Sequence, residues 1–145
     1  MMTFPSQKNE AYFKYAEVFT PPAVVIEMIL QPSIRDCLKE VDKTIFDPAV
    51  GEGQYPCLEL VWKLFFGLDK LDEEYVLKAL KSLYGIDIQS SSVEKTKQHM
   101  FQTVCDSYKF FTGKEFTRLE DAKEIIDKNF LCGDALKFMK ELADF

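Results

Sequence analysis

The sequence lacks the ingredients of a metal site. Its four cysteines, Cys37, Cys57, Cys105 and Cys132, lie far apart with no Cys-x-x-Cys pair, and His99 is the only histidine. Zinc sites draw on Cys and His at short spacings, so none is expected here. Scattered thiols read as the reduced cysteines of a cytosolic protein rather than as a disulfide framework. Glycine and proline are sparse, six of each in 145 residues, which excludes collagen-like and low-complexity classes. Long apolar runs are missing too. The longest is interrupted by Glu27 and is too short to span a bilayer. The first residues have neither an apolar core nor a small-residue cleavage site, so they are not a secretory signal, and a cytoplasmic protein without membrane contact is expected. Positive charge is scarce: 18 Lys and Arg stand against 24 Asp and Glu, a net charge of −6. Nucleic-acid backbones are gripped by cations that neutralise phosphates. If this chain acts on DNA, another segment or a second subunit must supply much of the grip.

What is present suits a single domain, residues 1–145, with an ordinary core: 47% of the residues are hydrophobic and 29% charged. Residues 1–20 are polar and aromatic without periodicity and read as an N-terminal arm. Thr20-Pro21-Pro22 is a helix start, with Thr20 as N-cap and the prolines in the first turn, and 22–30 reads as a short buried helix. A shorter helix is expected over 33–40. Residues 44–46 are a β-prone run ending at Asp47-Pro48, and Gly51-Glu52-Gly53 is a tight turn. Helical spacing of apolar residues follows over 55–67 and over 72–81, the latter with acids first and lysines late, which suits the helix dipole. A strand is expected over 82–88, a long helix over 91–111, a short charged helix over 119–127, a third strand over 129–132 and a final helix from Ala135. Strands alternating with helices imply an α/β fold with a parallel sheet, right-handed crossovers and helices on both faces, in strand order 3-2-1.

Each expected strand ends in an acid, Asp47, Asp87 or Asp134, and in such sheets ligands sit at the carboxyl ends of the strands. Any one of these acids has a plain explanation. Asp-Pro is ordinary turn chemistry, and Gly-Asp before a helix is an N-cap. All three together, the first followed by Gly-x-Gly, favour a ligand cradle. A dinucleotide fits poorly. The third glycine of its fingerprint falls at Pro56, and Glu52 sits where the pyrophosphate would lie. A phosphate-binding Walker loop fails too, because no Gly-Lys-Ser/Thr follows. A nucleoside that carries positive charge and no phosphate fits better, and S-adenosylmethionine is such a ligand. Asp47 then faces its methionine part, Asp87 accepts from the ribose hydroxyls, and Asp134 accepts from the adenine amine. Smaller signals stay open. Phe19 packs on the cofactor or acts as a hydrophobic staple, and Ile88 lies under the adenine or is simply buried in its strand. Tyr55 and Trp62 read as core. His99, Lys95, Lys97, Lys109 and Lys114 read as solvated.

Four segments resemble the N-terminal cofactor-binding half of the N6-adenine DNA methyltransferases of bacterial and phage restriction-modification systems. Glu17-Val18-Phe19-Thr20-Pro21-Pro22 is similar to the Phe-Thr-Pro motif that closes over the cofactor. Phe46-Asp47-Pro48-Ala49-Val50-Gly51-Glu52-Gly53 is similar to the Asp-Pro-Ala-x-Gly-x-Gly motif of the first strand. Tyr84-Gly85-Ile86-Asp87-Ile88 resembles the ribose-binding strand end, and Leu131-Cys132-Gly133-Asp134-Ala135 the adenine-contacting one. The resemblance implies a Rossmann-like three-layer methyltransferase fold and methyl transfer to an adenine flipped out of duplex DNA. It implies cofactor contacts from Phe19, Thr20, Pro21, Asp47, Pro48, Ala49, Gly51, Gly53, Asp87, Ile88, Asp134 and Ala135. The family's catalytic Asn/Asp-Pro-Pro-Tyr/Phe motif is absent, since the sole Pro-Pro is Pro21-Pro22. The sheet is therefore expected to stop after its third strand, with no catalytic residue in this chain and an open edge for a partner or a second copy. The rival readings are a catalytically inert remnant that binds cofactor or a partner, and a nicotinamide-binding Rossmann protein.

Overall fold

A computed structural model describes residues 31–143, with side chains described through Glu141. The expected arm 1–20, the helix 22–30 and the candidate residues Phe19, Thr20 and Pro21 lie outside the described residues. The described chain is an α/β arrangement of a small parallel sheet and six helices: α1 (Pro32–Lys39), β1 (Ile45–Asp47), α2 (Gln54–Phe66), α3 (Glu73–Lys81), β2 (Leu83–Asp87), α4 (Ser90–Thr112), α5 (Leu119–Asn129), β3 (Phe130–Cys132) and α6 (Ala135–Ala143), with a 3-10 turn over Leu68–Lys70. β2 lies between β1 and β3, and both pairings are parallel. The expected strand order is therefore observed. No described helix is long and apolar enough to cross a membrane.

Local chemistry sets the elements. Pro32 opens α1, where its missing N–H costs nothing. Asp72 caps α3 by accepting from the Tyr75 amide at 2.7 Å, and Glu73 and Glu74 follow in the first turn with Lys78 and Lys81 in the last. The side chain of Asn129, at the end of α5, donates to the carbonyls of Lys81 and Leu83 at 3.1 Å each, tying the start of β3 to the start of β2. Lys63 is fully buried on α2. Its ammonium donates to the carbonyls of Glu40, Val41 and Lys43 at 2.8–3.1 Å and to Ser82 Oγ at 2.8 Å. These contacts anchor the chain entering β1 against the residue before β2, and the Ile45 amide then donates to Ser82 O at 2.8 Å.

Side chains alternate across a strand, so the register divides the sheet into two faces. Ile45, Leu83, Gly85 and Phe130 share one face. On it Leu83 and Phe130 join the main core with Cys57, Leu60 and Leu64 of α2, Val76 and Leu80 of α3, Met100 and Val104 of α4, and Ile126 of α5. Phe46, Tyr84 and Leu131 share the opposite face and stay substantially exposed, Leu131 at 49%. Phe138 of α6 meets Phe46 there with ring centroids 5.9 Å apart. Helices on both faces were expected. Among the described residues, α2 to α5 contribute to one core on the first face, and α6 meets the second through Phe138. A smaller cluster, Leu38 and Leu58 with Tyr55 and Trp62 packed against it, joins α1 to α2, as the core reading of those two aromatics required. All four cysteines are free thiols.

Candidate functional site

β1 delivers Asp47 to the carboxyl edge of the sheet. Its Oδ1 accepts from the Ala49 amide at 2.9 Å, the ordinary Asx turn that Asp-Pro favours. Its Oδ2 is buried with no hydrogen-bond partner. Pro48 and Ala49 are exposed at the turn. The chain then folds back through Val50, whose amide donates to Ile86 O at 3.0 Å, into a buried glycine turn. Gly51 and Gly53 both have left-handed backbones, φ 58° and 93°, a conformation that costs a side-chain-bearing residue about 1–2 kcal/mol. The Gly51 amide donates to Asp87 Oδ2 at 3.0 Å, and the Gly53 amide to Val50 O at 2.9 Å. The first turn of α2 follows directly.

β2 ends at Asp87, and its carboxylate works on two sides. Oδ2 holds Gly51, and Oδ1 accepts from the Gln89 amide at 2.9 Å. The Asp87 carbonyl accepts from Gly133 N at 2.9 Å, which brings the turn after β3 alongside. Asp134 then caps α6, with Oδ1 accepting from Leu136 N at 2.9 Å. Ala135 is half-buried beside it. Ile88 is 72% exposed just beyond the strand. Strand burial is thereby eliminated as its explanation, and the residue is left as an apolar surface at the same edge.

The three acids therefore share one sheet edge, and each also serves a nearby amide. In register, Asp47 pairs with Gly85 and Asp87 with Cys132, so the acids rise in steps of about two residues from β1 to β3. Asp47 and Asp87 are close enough to feel each other. Burial raises the Asp47 pKa above its ordinary value, the Ala49 amide opposes this, and the charge of Asp87 adds to the rise. Glu59, buried on α2, is pushed up to about 8 by burial and by Asp47, with Lys63 opposing.

One expectation about α4 needs correction: His99, expected to be solvated, is half-buried and its Nδ1 lies 2.7 Å from Glu52 O. Lys95 is exposed, as a solvated surface requires, and its ammonium also pairs at 3.0 Å with Oε1 of Glu52, a side chain only 5% exposed. Between them Thr96 Oγ1 donates to Gly51 O at 2.7 Å. These contacts escaped the sequence because they join residues more than 40 positions apart. The one available signal was that 95, 96 and 99 lie on one side of the helix that follows Asp87. Lys109 matches the solvated reading, pairing with the exposed acid Glu115, while Lys97 pairs with the exposed Asp127 but is itself partly buried.

The arrangement accepts far more than it donates. Among the described residues, the buried side-chain polar atoms without partners are Asp47 Oδ2, Glu52 Oε2 and Gln89 Oε1, all oxygens and all on residues of this edge or its glycine turn. Meanwhile the amides of Ala49, Val50, Gly51 and Gly53 are each engaged within the protein. A phosphate cradle does the reverse and leaves its amides pointing at the anion. Among the described residues no group of three or more His, Cys, Asp or Glu is placed to hold a metal ion. The chain matches no protein-family model, no curated protein and no solved structure.

Proposed function

We propose that this chain is the S-adenosylmethionine-binding region of an N6-adenine DNA methyltransferase, with a Rossmann-like fold. One observation carries the reading: the carboxyl edge of the parallel sheet presents buried oxygens that lack donors, beside a glycine turn whose Gly51 and Gly53 amides are already used. Such an edge complements a ligand with positive charge, hydroxyl and amine donors, and no phosphate. It disfavours a nicotinamide dinucleotide, whose pyrophosphate needs free amides. In this reading Asp47 faces the ammonium and sulfonium end, Asp87 takes ribose hydroxyls, Asp134 takes the adenine amine, and exposed Ile88 offers an apolar surface to the base. The bound cofactor supplies an electrophilic methyl group on sulfur. The chain's own residues bind and orient it, while the residues that hold the target amine belong to another segment or a second subunit. So does most of the grip on DNA, given the net charge of −6. The edge of β1 away from β2 is unpaired among the described residues and is where such a partner, or a second copy, would add a strand. Cytoplasmic residence accords with four free thiols.

Calorimetry with S-adenosylhomocysteine and with NAD tests this. Binding of the former alone is expected. Asp87→Ala should abolish it, because the change removes both the carboxylate and the anchor of Gly51. Gln98→Ala, on the exposed side of α4, should leave it unchanged. Equal affinity for NAD would overturn the reading. With labelled cofactor and mixed-sequence DNA, the chain alone should transfer no methyl group.

A further inference from the structure

We propose that Thr96 and His99 are positioning residues that hold the glycine turn in the shape that keeps the Gly51 amide on Asp87; the link to cofactor affinity rests on the reading above. A turn with two glycines at positive φ is soft, because glycine has more backbone conformations to lose than any other residue. Something must select one of them. Three of the turn's backbone groups are satisfied without α4: Gly51 N by Asp87, Gly53 N by Val50 O, and Gly53 O by Cys57 N at 3.0 Å. The carbonyls of Gly51 and Glu52 are met instead by α4. Thr96 Oγ1 reaches the first and His99 Nδ1 the second, each at 2.7 Å.

The chemistry fixes the roles. A carbonyl oxygen only accepts, so the proton of His99 sits on Nδ1. Thr96 is fully buried, and its methyl carbon lies 3.1 Å from where a Cβ on Gly53 would stand. It therefore closes the space the turn would need in order to rearrange. Lys95 holds the Glu52 side chain through Oε1, which keeps the middle residue of the turn from swinging out. A break in either α4 contact leaves a carbonyl unpaired and frees the turn to leave Asp87.

Substitutions separate positioning from bulk. Asn in place of His99 sets an amide N–H where Nδ1 was, whereas Gln sets it further out, where Nε2 was. Ser in place of Thr96 keeps the hydroxyl, whereas Val keeps the shape without it. Backbone amide exchange over residues 49–54 should be measured on the full chain in these variants, with Gln98→Ala as control. In His99→Gln and Thr96→Val, exchange at Gly51 should rise about tenfold, the size of one net hydrogen bond, while amides in the middle of α4 and β2 stay protected. His99→Asn and Thr96→Ser should restore protection. The same variants should weaken S-adenosylhomocysteine binding about tenfold and recover it in the same pattern. Unchanged exchange at Gly51 in both His99→Gln and Thr96→Val would overturn the proposal, whether or not any ligand binds. A loosened turn in a protein whose wild type binds no S-adenosylhomocysteine would leave the clamp standing and remove the cofactor reading.

Discussion

Glu59 and Lys63 occupy successive turns of α2, and each is buried in a way its residue type resists. Lys63 is held as an ammonium by four oxygens, although burial pulls its pKa down to about 8. Glu59 moves the other way, from 4.5 to about 8. A carboxyl whose folded pKa is raised stabilises the fold fully below its unfolded value, and loses that contribution as pH climbs towards the folded value. Asp47 shifts in the same direction, and Cys57 on the neighbouring turn is driven up to about 12, too far to titrate near neutrality. Stability measured by urea unfolding should therefore fall between pH 5 and pH 7.5, by as much as about 3 kcal/mol from Glu59. Glu59→Gln should flatten most of that slope and unfold at higher urea than the wild type at pH 7.5. A wild-type midpoint that rises across this range would contradict the assignment of Glu59 as a neutral buried acid.

At the scale of elements, β2 decides the geometry, because it touches both neighbours and carries Asp87. Gly85 is its tightest point. A Cβ there would stand 2.8 Å from Val50 Cγ2 and 3.0 Å from Phe130 Cδ1, so the residue has no room for even one methyl group. Val50 is also the residue that fastens the turn after β1 to Ile86 O. Gly85→Ala should therefore cost roughly 1–3 kcal/mol by overpacking, read as a lower thermal midpoint. It should also displace Val50, so that Gly51 leaves Asp87 and S-adenosylhomocysteine binding falls with it. A variant as stable as the wild type would show that β2 and β3 can separate without consequence for the edge. The boundaries of β2 and its neighbours were legible in the chain to within about a residue, because alternation, glycine punctuation and acids at helix starts all agree there.

At the scale of the molecule, α2 carries both apolar clusters. It faces β2, α3 and α4 through Cys57, Leu60 and Leu64, and faces α1 through Leu58 with Tyr55 and Trp62 alongside. Ile45 of β1 packs against both clusters. Trp62, the one tryptophan of the sequence, thus reports on the α1 side, whereas far-ultraviolet circular dichroism reports on all the helices. The two signals should follow one unfolding curve in urea, since neither cluster can open without disturbing α2. Separate midpoints would mean that α1 detaches before the sheet and its helices unfold.

The sequence by itself determined the alternation of strands and helices, the parallel sheet and the acid at the end of each strand, because periodicity and turn chemistry are local properties. It also named the plain roles of Asp47 and Asp134, an Asx turn and a helix cap, and both roles are filled. Tertiary structure alone decided that Asp87 holds Gly51, that Lys95, Thr96 and His99 reach back to the glycine turn, and that Glu52 is buried rather than facing solvent. Each of those contacts closes a loop of 36 to 47 residues. No local pattern encodes such a contact; it exists because β2 lies beside β1 and α4 packs against the end of both.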